Sequence, residues 1–209
     1  KVQAKVRAAQ SLSEARRAVA EVRGLYARRD EVAWARARFD ARASEVMDAD
    51  ALITLAEREI MAPLDAAAAR EVEAAARQVA TVTALIPLPL ADVMAALTAN
   101  LRMIRRVAEI YGGRSGVLGS WRLTRAVMAH VVATGAVAMG DDMLGSFLGG
   151  GVLAKLSRRF GEGVVNGALT ARVGLAAMEV CRPMPFSATT RPSVSGTVKR
   201  ALTGLFGRD

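Results

Sequence analysis

The most constraining feature of this sequence is a stretch from Ala126 to Ala154 whose only charged side chains are Asp141 and Asp142, near its centre. Its length and apolar character would suit a membrane-spanning helix. Its apolar residues would contribute about −3 to −5 kcal/mol to insertion, but two central aspartates would cost about +5 to +7 kcal/mol. We therefore expect two short helices that meet at Gly140-Asp141-Asp142, with Asp141 or Asp142 capping the second helix.

Composition favours one fold class. Hydrophobic residues make up 52% of the 209 residues but aromatic residues only 4%, so most of the apolar mass is Ala, Val, Leu and Met. Apart from Val, these residues form helices readily. Stretches that alternate apolar and polar residues, as strands do, are few. The chain therefore predicts an all-α protein with a compact helical bundle.

Residues 1–48 predict a long, basic helical arm. Leu25, Val32, Phe39 and Val46 repeat every seven residues on one stripe. A continuous helix of this length would extend about 60 to 70 Å, too long for a compact domain of this size. Such an arm needs a partner: a second copy, a later helix or a membrane surface. We favour a coiled coil or a helical hairpin over direct lipid contact, and a homodimer is the simplest assembly.

Charge is unevenly distributed along the chain. Residues 1–42 contain 11 Lys and Arg against five acids, whereas residues 43–100 contain three against nine. Basic surfaces attract both nucleic acid and anionic lipid, but the reading motifs and stacking aromatics of nucleic-acid binders are missing here. Anionic phospholipid therefore ranks above nucleic acid. The candidate lipid or partner contacts are Arg28, Arg29, Arg36, Arg38, Arg105, Arg106, Lys199 and Arg200.

A second apolar stretch, residues 78–101, contains a single charge, Asp92. As one helix it would span about 36 Å, enough to cross a bilayer core of roughly 30 Å. Pro87 and Pro89 interrupt it, because proline lacks the amide donor that a helix interior needs. We interpret the prolines as a turn and the following residues as an amphipathic core helix.

The sequence divides into three parts: the basic arm at 1–48, a helical domain at 49–186, and a polar linker with a short basic amphipathic helix at 187–209. Three outcomes for this last helix remain open. It lies on an anionic bilayer, docks on its own domain, or frays.

No arrangement of residues indicates an enzyme. The glycine-rich segments 112–116 and 149–151 lack the Gly-Lys-Ser/Thr ending of a phosphate-binding loop, so we interpret them as tight turns. His130, the only histidine, has no Cys or carboxylate at ligand spacing, and we expect it to pack in the core. We predict no catalytic residue, no metal site and no cofactor.

Several separated motifs resemble the YcjF-type family of bacterial inner-membrane proteins. Between residues 45 and 186 they are IPLPLADVMAALTANLRMIRRVAEIYGG, YGGRSGVLGSWRLTRAV, the GDD at 140–142 and GEGVVNGALTARVGLAAMEVCRPMPF. The positions singled out as structural motifs are Gly112, Gly113, Gly140, Asp141, Asp142, Gly149, Gly163, Asn166 and Gly167. The four-residue spacing of Gly163 and Gly167 would also let two helix backbones approach closely.

The resemblance implies a cytoplasmic helical domain that follows transmembrane helices at the bacterial inner membrane. The chain begins at Lys1 and shows no upstream span, so we expect a soluble piece of such a protein. The resemblance also implies a nucleotide-binding stress protein of the YcjX type as a partner. Two functions remain open: a non-enzymatic, membrane-anchored adaptor for a partner protein, and an anionic-lipid-binding, membrane-shaping protein.

Overall fold

The computed structural model describes residues 2–86, 89–112, 123–130 and 152–206, and the regular elements in these ranges are all helical. The predicted all-α fold is confirmed. In chain order the helices are α1 (Val2–Ala8), α2 (Leu12–Leu25), α3 (Ala33–Ala43), α4 (Ala49–Ala56), α5 (Ala62–Leu85), α6 (Pro89–Ile110), α7 (123–130), α8 (Val152–Cys181) and α9 (Val194–Phe206). A 3-10 turn at Asp30–Val32 precedes α3, and a π-helical segment at Glu57–Met61 joins α4 to α5.

Part of the predicted glycine-rich region lies outside the described residues. Gly113, Gly140, Asp141, Asp142 and Gly149 all fall there, together with the predicted turn between two short helices. The structure therefore does not test those predictions.

Residues 2–48 contain three short helices, so the single long helix expected from the sequence is wrong. Ser11 begins α2 with a capping box: its hydroxyl accepts a hydrogen bond from the Glu14 N–H, and the Glu14 carboxylate accepts one from the Ser11 N–H. This reciprocal pair satisfies amide donors that a helix start leaves free. After Leu25 the chain turns before α3 begins. These breaks let α2 pack on α4 and let α3 pack on the π-helical segment.

The described residues form two compact units. The first comprises residues 2–68, 109–112 and 181–191, and the second comprises the remaining described residues. In the first unit, α2 buries Ala15, Val19 and Val22 along one face, the spacing of an amphipathic helix.

The second unit depends on a close approach of α8 to α5. A Cβ added at Gly163 would lie 2.6 Å from the carbonyl oxygen of Ala80, and one at Gly167 would lie 3.0 Å from that of Ala76. Between them, the Asn166 amide donates to the Thr83 hydroxyl at 3.2 Å. The two glycines thus lie at a helix contact, as their spacing indicates.

The last helix, α9, docks on α5 within the second unit. Arg77 Nε donates to the carbonyl of Ala201 at 2.9 Å, and Arg200 pairs with Glu73. Ala201 and Thr197 are both buried. Of the three outcomes left open for the tail, docking on its own domain is the one observed.

The second apolar stretch does not form one helix, since α5 ends at Leu85 and α6 begins at Pro89. Proline suits a first helical position, where its missing N–H is not needed. Within the described part of the chain, Arg159–Cys181 is long and apolar enough to cross a membrane, but half of its most apolar part is buried. Core helices of soluble proteins share these properties, so the stretch carries no membrane assignment.

Candidate functional site

Arg182 is the largest fully buried side chain of the described residues and the centre of a cluster of charges in the first unit. It follows Cys181, the last residue of α8. Its Nε and Nη2 donate to the two carboxylate oxygens of Asp65, each at 2.9 Å, and Nη2 also donates to Glu57 Oε1 at 3.1 Å. A buried guanidinium is tolerated only when its N–H groups are paired, and the bidentate geometry is the strongest form of such pairing.

The remaining donors of Arg182 fix the chain that follows it. Nη1 donates to the carbonyl oxygens of Met184, at 2.8 Å, and of Pro185. The ring of Phe186 lies over the guanidinium, with its centroid 4.0 Å from Cζ. A guanidinium has five N–H groups, and all of them have an acceptor here. Arg182 therefore has no donor left for a ligand.

Glu57, from the π-helical segment, binds the later residues of the same stretch of chain. Its side chain is fully buried. It accepts hydrogen bonds from the N–H groups of Ser187, Ala188 and Thr189 and from the Thr189 hydroxyl, at 2.6 to 3.3 Å. Burial opposes ionisation, but these hydrogen bonds and the charge of Arg182 outweigh it and hold the pKa of Glu57 below its ordinary value.

Two tyrosines complete the cluster. The Tyr111 hydroxyl donates to Asp65 Oδ1 at 2.7 Å, and the Tyr26 hydroxyl donates to the carbonyl of Tyr111 at 3.2 Å. Burial raises the pKa of both hydroxyls, and the charge of Asp65 raises it further. Both tyrosines therefore stay protonated and act as donors.

The cluster is suited to holding the fold rather than to catalysis. A general base needs an accessible lone pair and a pKa near the working pH. Glu57 has neither, because it is buried, hydrogen-bonded and lowered in pKa. We call Arg182, Glu57, Asp65 and the segment 183–189 the arginine clasp, since they attach that segment to the α4–α5 junction.

A second group of charges lies at the surface of the same unit, on α3. Glu59, the other acid of the π-helical segment, has a side chain only 7% exposed, and it pairs with Arg38 and Arg42, each at 3.0 Å. The Arg38 guanidinium also lies 5.7 Å from the ring centroid of Trp34, which is 52% exposed. We call Trp34, Arg38 and Arg42 the α3 surface.

A groove of about 430 Å³ adjoins the α3 surface. Arg42 and Glu59 line it together with Glu45, Thr54 and Arg58. Both charged and apolar side chains face it, but no His or Cys lines it. Among the described residues, no group of three His, Cys, Asp or Glu side chains could hold a metal ion.

The predicted contact arginines have different surroundings. Arg28 is exposed, whereas Arg29 donates to the carbonyls of Ile110 and Glu109, at 2.6 and 3.2 Å, and so caps the end of α6. Arg36 is half-buried, and within the described ranges its Nε has no hydrogen-bond partner.

The other predicted contacts lie in the second unit, except Arg38 on the α3 surface. Arg105, Arg106 and Lys199 are exposed, while Arg200 pairs with Glu73. The predicted set is therefore divided between the two units, and several of its members already have partners within the chain.

Two further residues can be compared with their sequence interpretation. Gly112 has a φ of +85° and its N–H donates to the carbonyl of Glu109, so it ends α6 as a left-handed cap glycine, in agreement with the turn predicted there. His130 is one-third exposed and its Nε2 lies 2.7 Å from Glu179 Oε2. The expectation of a packed core histidine is thus wrong. Local spacing could not indicate the carboxylate partner, because Glu179 is 49 residues away in sequence.

Sequence reasoning missed the arginine clasp. One signal was available: Glu57 falls on the apolar stripe of Ile53, Ile60 and Leu64, where a charge is buried only with a partner. The partner itself had no local signal, because Arg182 is 125 residues further on.

Comparison with known proteins identifies the family. The profile of DUF697, described as a domain of unknown function, matches residues 47–207. The chain belongs to the DUF697 family. It is 49% identical over 180 residues to a UPF0283 membrane protein of Sinorhizobium medicae. The aligned residues make up 86% of this chain and 50% of that protein. A UPF0283 membrane protein of Bradyrhizobium diazoefficiens is 51% identical over 165 residues, 79% of this chain and 48% of that protein.

A third relative, from Rhizobium etli, is 45% identical over 182 residues, 87% of this chain and 51% of its own length. The chain thus spans about half the length of the curated relatives it matches. These relatives are named as membrane proteins, in agreement with the resemblance to a bacterial membrane-protein family. No solved structure matches the chain.

Proposed function

We propose that this DUF697 chain is the cytoplasmic, partner-binding domain of a bacterial inner-membrane protein and acts as a non-enzymatic, membrane-anchored adaptor. Membrane association is supported by the names of the relatives, which are UPF0283 membrane proteins. The adaptor role is supported by two observations. The arginine clasp is buried and Arg182 has no donor left for a ligand, whereas the α3 surface is exposed and has residues of the kind that partners bind.

The α3 surface is the observation that carries the proposal. Tryptophan and arginine are the residues most enriched among those that dominate binding energy at protein interfaces. Trp34 is half exposed, and Arg38 is held beside it by its ion pair with Glu59. A side chain already fixed in place loses less conformational entropy on binding. The α3 surface is therefore pre-organised for a partner.

The chemistry of this surface points to a partner with carboxylates around an apolar pocket. Arg38 and Arg42 are about two-thirds exposed although both contact Glu59, so each has guanidinium surface left for a partner's acids. The resemblance to the YcjF-type family suggests which protein this is: a nucleotide-binding protein of the YcjX type. A homodimer remains a prediction.

Direct binding of anionic lipid is the second candidate function. Arg28 and Lys199 are exposed, as a lipid contact requires. Arg29 and Arg200, from the same predicted set, are instead engaged with a helix end and with Glu73. The arginine-rich first segment therefore supports lipid binding less strongly than its charge suggests.

The adaptor is tested by measuring the affinity of the 209-residue chain for a purified YcjX-type protein in solution. Trp34→Ala is expected to weaken binding by about 30-fold, which corresponds to roughly 2 kcal/mol at a dominant contact. Met47→Ala is the matched control, since Met47 is an exposed apolar residue of the same unit. Absence of binding by the wild type, or equal affinities of the two variants, would overturn the proposal.

A further inference from the structure

Exposed apolar side chains are concentrated in one stretch of the sequence of the second unit. Of the twelve large hydrophobic residues that the described chain exposes, six lie between residues 85 and 101, at the end of α5 and in the first half of α6. Each is between 39% and 73% exposed. We call them the α6 patch: Leu85, Ile86, Val93, Met94, Leu97 and Leu101.

The α6 patch continues into positive charge along the helix. Residues four apart share a helix face, so Val93, Leu97, Leu101 and Arg105 form one row. Met94 begins the neighbouring row, which passes through Thr98 to Arg102 and Arg106. All three of these arginines are exposed, and between residues 93 and 110 they face one acid, Glu109, which follows Arg105 in the first row. Each row is thus apolar at its start, and the last two turns of α6 carry a net positive charge.

The opposite face of α6 is firmly buried. Ala99, Met103 and Val107 form a third four-residue row, and none is more than 4% exposed. Because this row holds the helix in place, α6 presents its apolar and basic face to solvent as a fixed surface. A helix of this kind differs from a loose amphipathic segment, which would have to fold as it binds.

We propose that the second unit binds the surface of an anionic phospholipid bilayer through the α6 patch. The basic residues complement the phosphates and anionic headgroups, while the aliphatic residues enter the boundary between headgroups and acyl chains. The patch contains Leu, Ile, Val and Met but no aromatic residue, which matches hydrocarbon better than the aromatic-rich centre of a protein interface. The inference rests on the proposed membrane association, and it assigns lipid contact to α6 rather than to the arginine-rich first segment.

Vesicle co-sedimentation of the 209-residue chain tests this surface. Vesicles of phosphatidylcholine with about 30% phosphatidylglycerol are compared with pure phosphatidylcholine vesicles at roughly physiological salt. The wild-type chain should bind the anionic vesicles and leave the neutral ones largely unbound. Leu97→Ser together with Leu101→Ser should weaken binding by about tenfold, because both lost side chains insert into the bilayer.

The matched control is Leu169→Ser. Leu169 is a similarly exposed leucine of the same unit, on α8, and its replacement should leave vesicle binding unchanged. Arg102→Glu with Arg105→Glu should abolish the preference for anionic vesicles. Circular dichroism of each variant checks that its helices are retained.

Three results would overturn the inference: no vesicle binding by the wild type, equal binding to neutral vesicles, or equal loss in the Leu97/Leu101 and Leu169 variants. A dimer in light scattering that the Leu97/Leu101 variant converts to monomer, without an effect on vesicle binding, would assign the patch to a second copy instead. Because the adaptor test uses Trp34 in solution, failure of either experiment leaves the other interpretable.

Discussion

Replacement of Arg182 by methionine removes the cation of the arginine clasp while keeping a side chain of similar length. Arg182 and Glu57 have side chains that are 0% exposed, and Asp65 is 12% exposed. The replacement leaves two carboxylates without their cation, as well as the carbonyls of Met184 and Pro185 without a donor. Removing one partner of a buried ion pair costs about 3 to 5 kcal/mol, and we expect the free energy of unfolding to fall by that amount.

Urea denaturation followed by far-UV circular dichroism measures this loss. Arg28→Met is the control, because Arg28 is exposed and its replacement should change the free energy of unfolding by no more than about 0.5 kcal/mol. Hydrogen exchange adds a local readout: the amides of Ser187, Ala188 and Thr189, which donate to Glu57, should exchange faster in the Arg182→Met variant.

A loss below about 1 kcal/mol would refute this account, since a cost that small is typical of solvent-exposed ion pairs. A second replacement checks the cause. If the penalty comes from an isolated charge, Glu57→Met added to Arg182→Met should restore part of the stability, because the remaining site holds one fewer unpaired carboxylate. A double variant less stable than Arg182→Met would show that Glu57 stabilises the fold mainly through the backbone amides.

Two further predictions concern helix packing and pH. Gly163→Ala would place a Cβ 2.6 Å from the carbonyl oxygen of Ala80 and should destabilise by about 1 to 3 kcal/mol. Gly161→Ala meets no atom within 4 Å and should stabilise the helix by about 0.5 to 1 kcal/mol; equal melting temperatures for these variants would contradict the packing. Because the pKa of Glu57 lies below its ordinary value of 4.5, the ionised carboxylate stabilises the fold above that pH, and this contribution is lost as the pH falls through the folded pKa. The urea midpoint of Glu57→Gln should therefore depend less steeply on acidic pH than that of the wild type, and parallel curves would exclude this role.

The helices of the second unit could be predicted from local pattern. Gly163 and Gly167 indicate a close helix contact by their spacing alone, and Pro87 and Pro89 indicate the interruption between α5 and α6. Both signals act through the backbone of a few neighbouring residues. Such short-range effects can therefore be predicted from the sequence alone.

The first 48 residues show where local pattern misleads. The seven-residue repeat of Leu25, Val32, Phe39 and Val46 continues across the turn after α2, although no single helix does. The sequence Ser11-Leu-Ser-Glu14 is a capping box and would have indicated one of the breaks. Burial of the arm's apolar face against α4 replaces the external partner that a long helix would need.

The candidate sites could be predicted only in part. The exposed arginines at the end of α6 belonged to the predicted contacts, but the apolar residues beside them were assigned to the core. A helix pattern shows that an apolar face exists and cannot show whether another helix covers it. The arginine clasp was missed because Arg182 lies more than 100 residues from both Glu57 and Asp65 in the chain.

By itself the sequence determined that the chain is helical, where several helices begin and end, and that it belongs with bacterial membrane proteins. These properties depend on backbone preference, apolar spacing and short motifs, all of which act over a few residues. The tertiary structure alone decided which charges are buried and paired, as at Arg182 and Glu57, and which apolar faces stay open to solvent, as at Leu97. Those outcomes depend on distant segments that meet only when the chain is folded, because burial and ion pairing are properties of contacts in space.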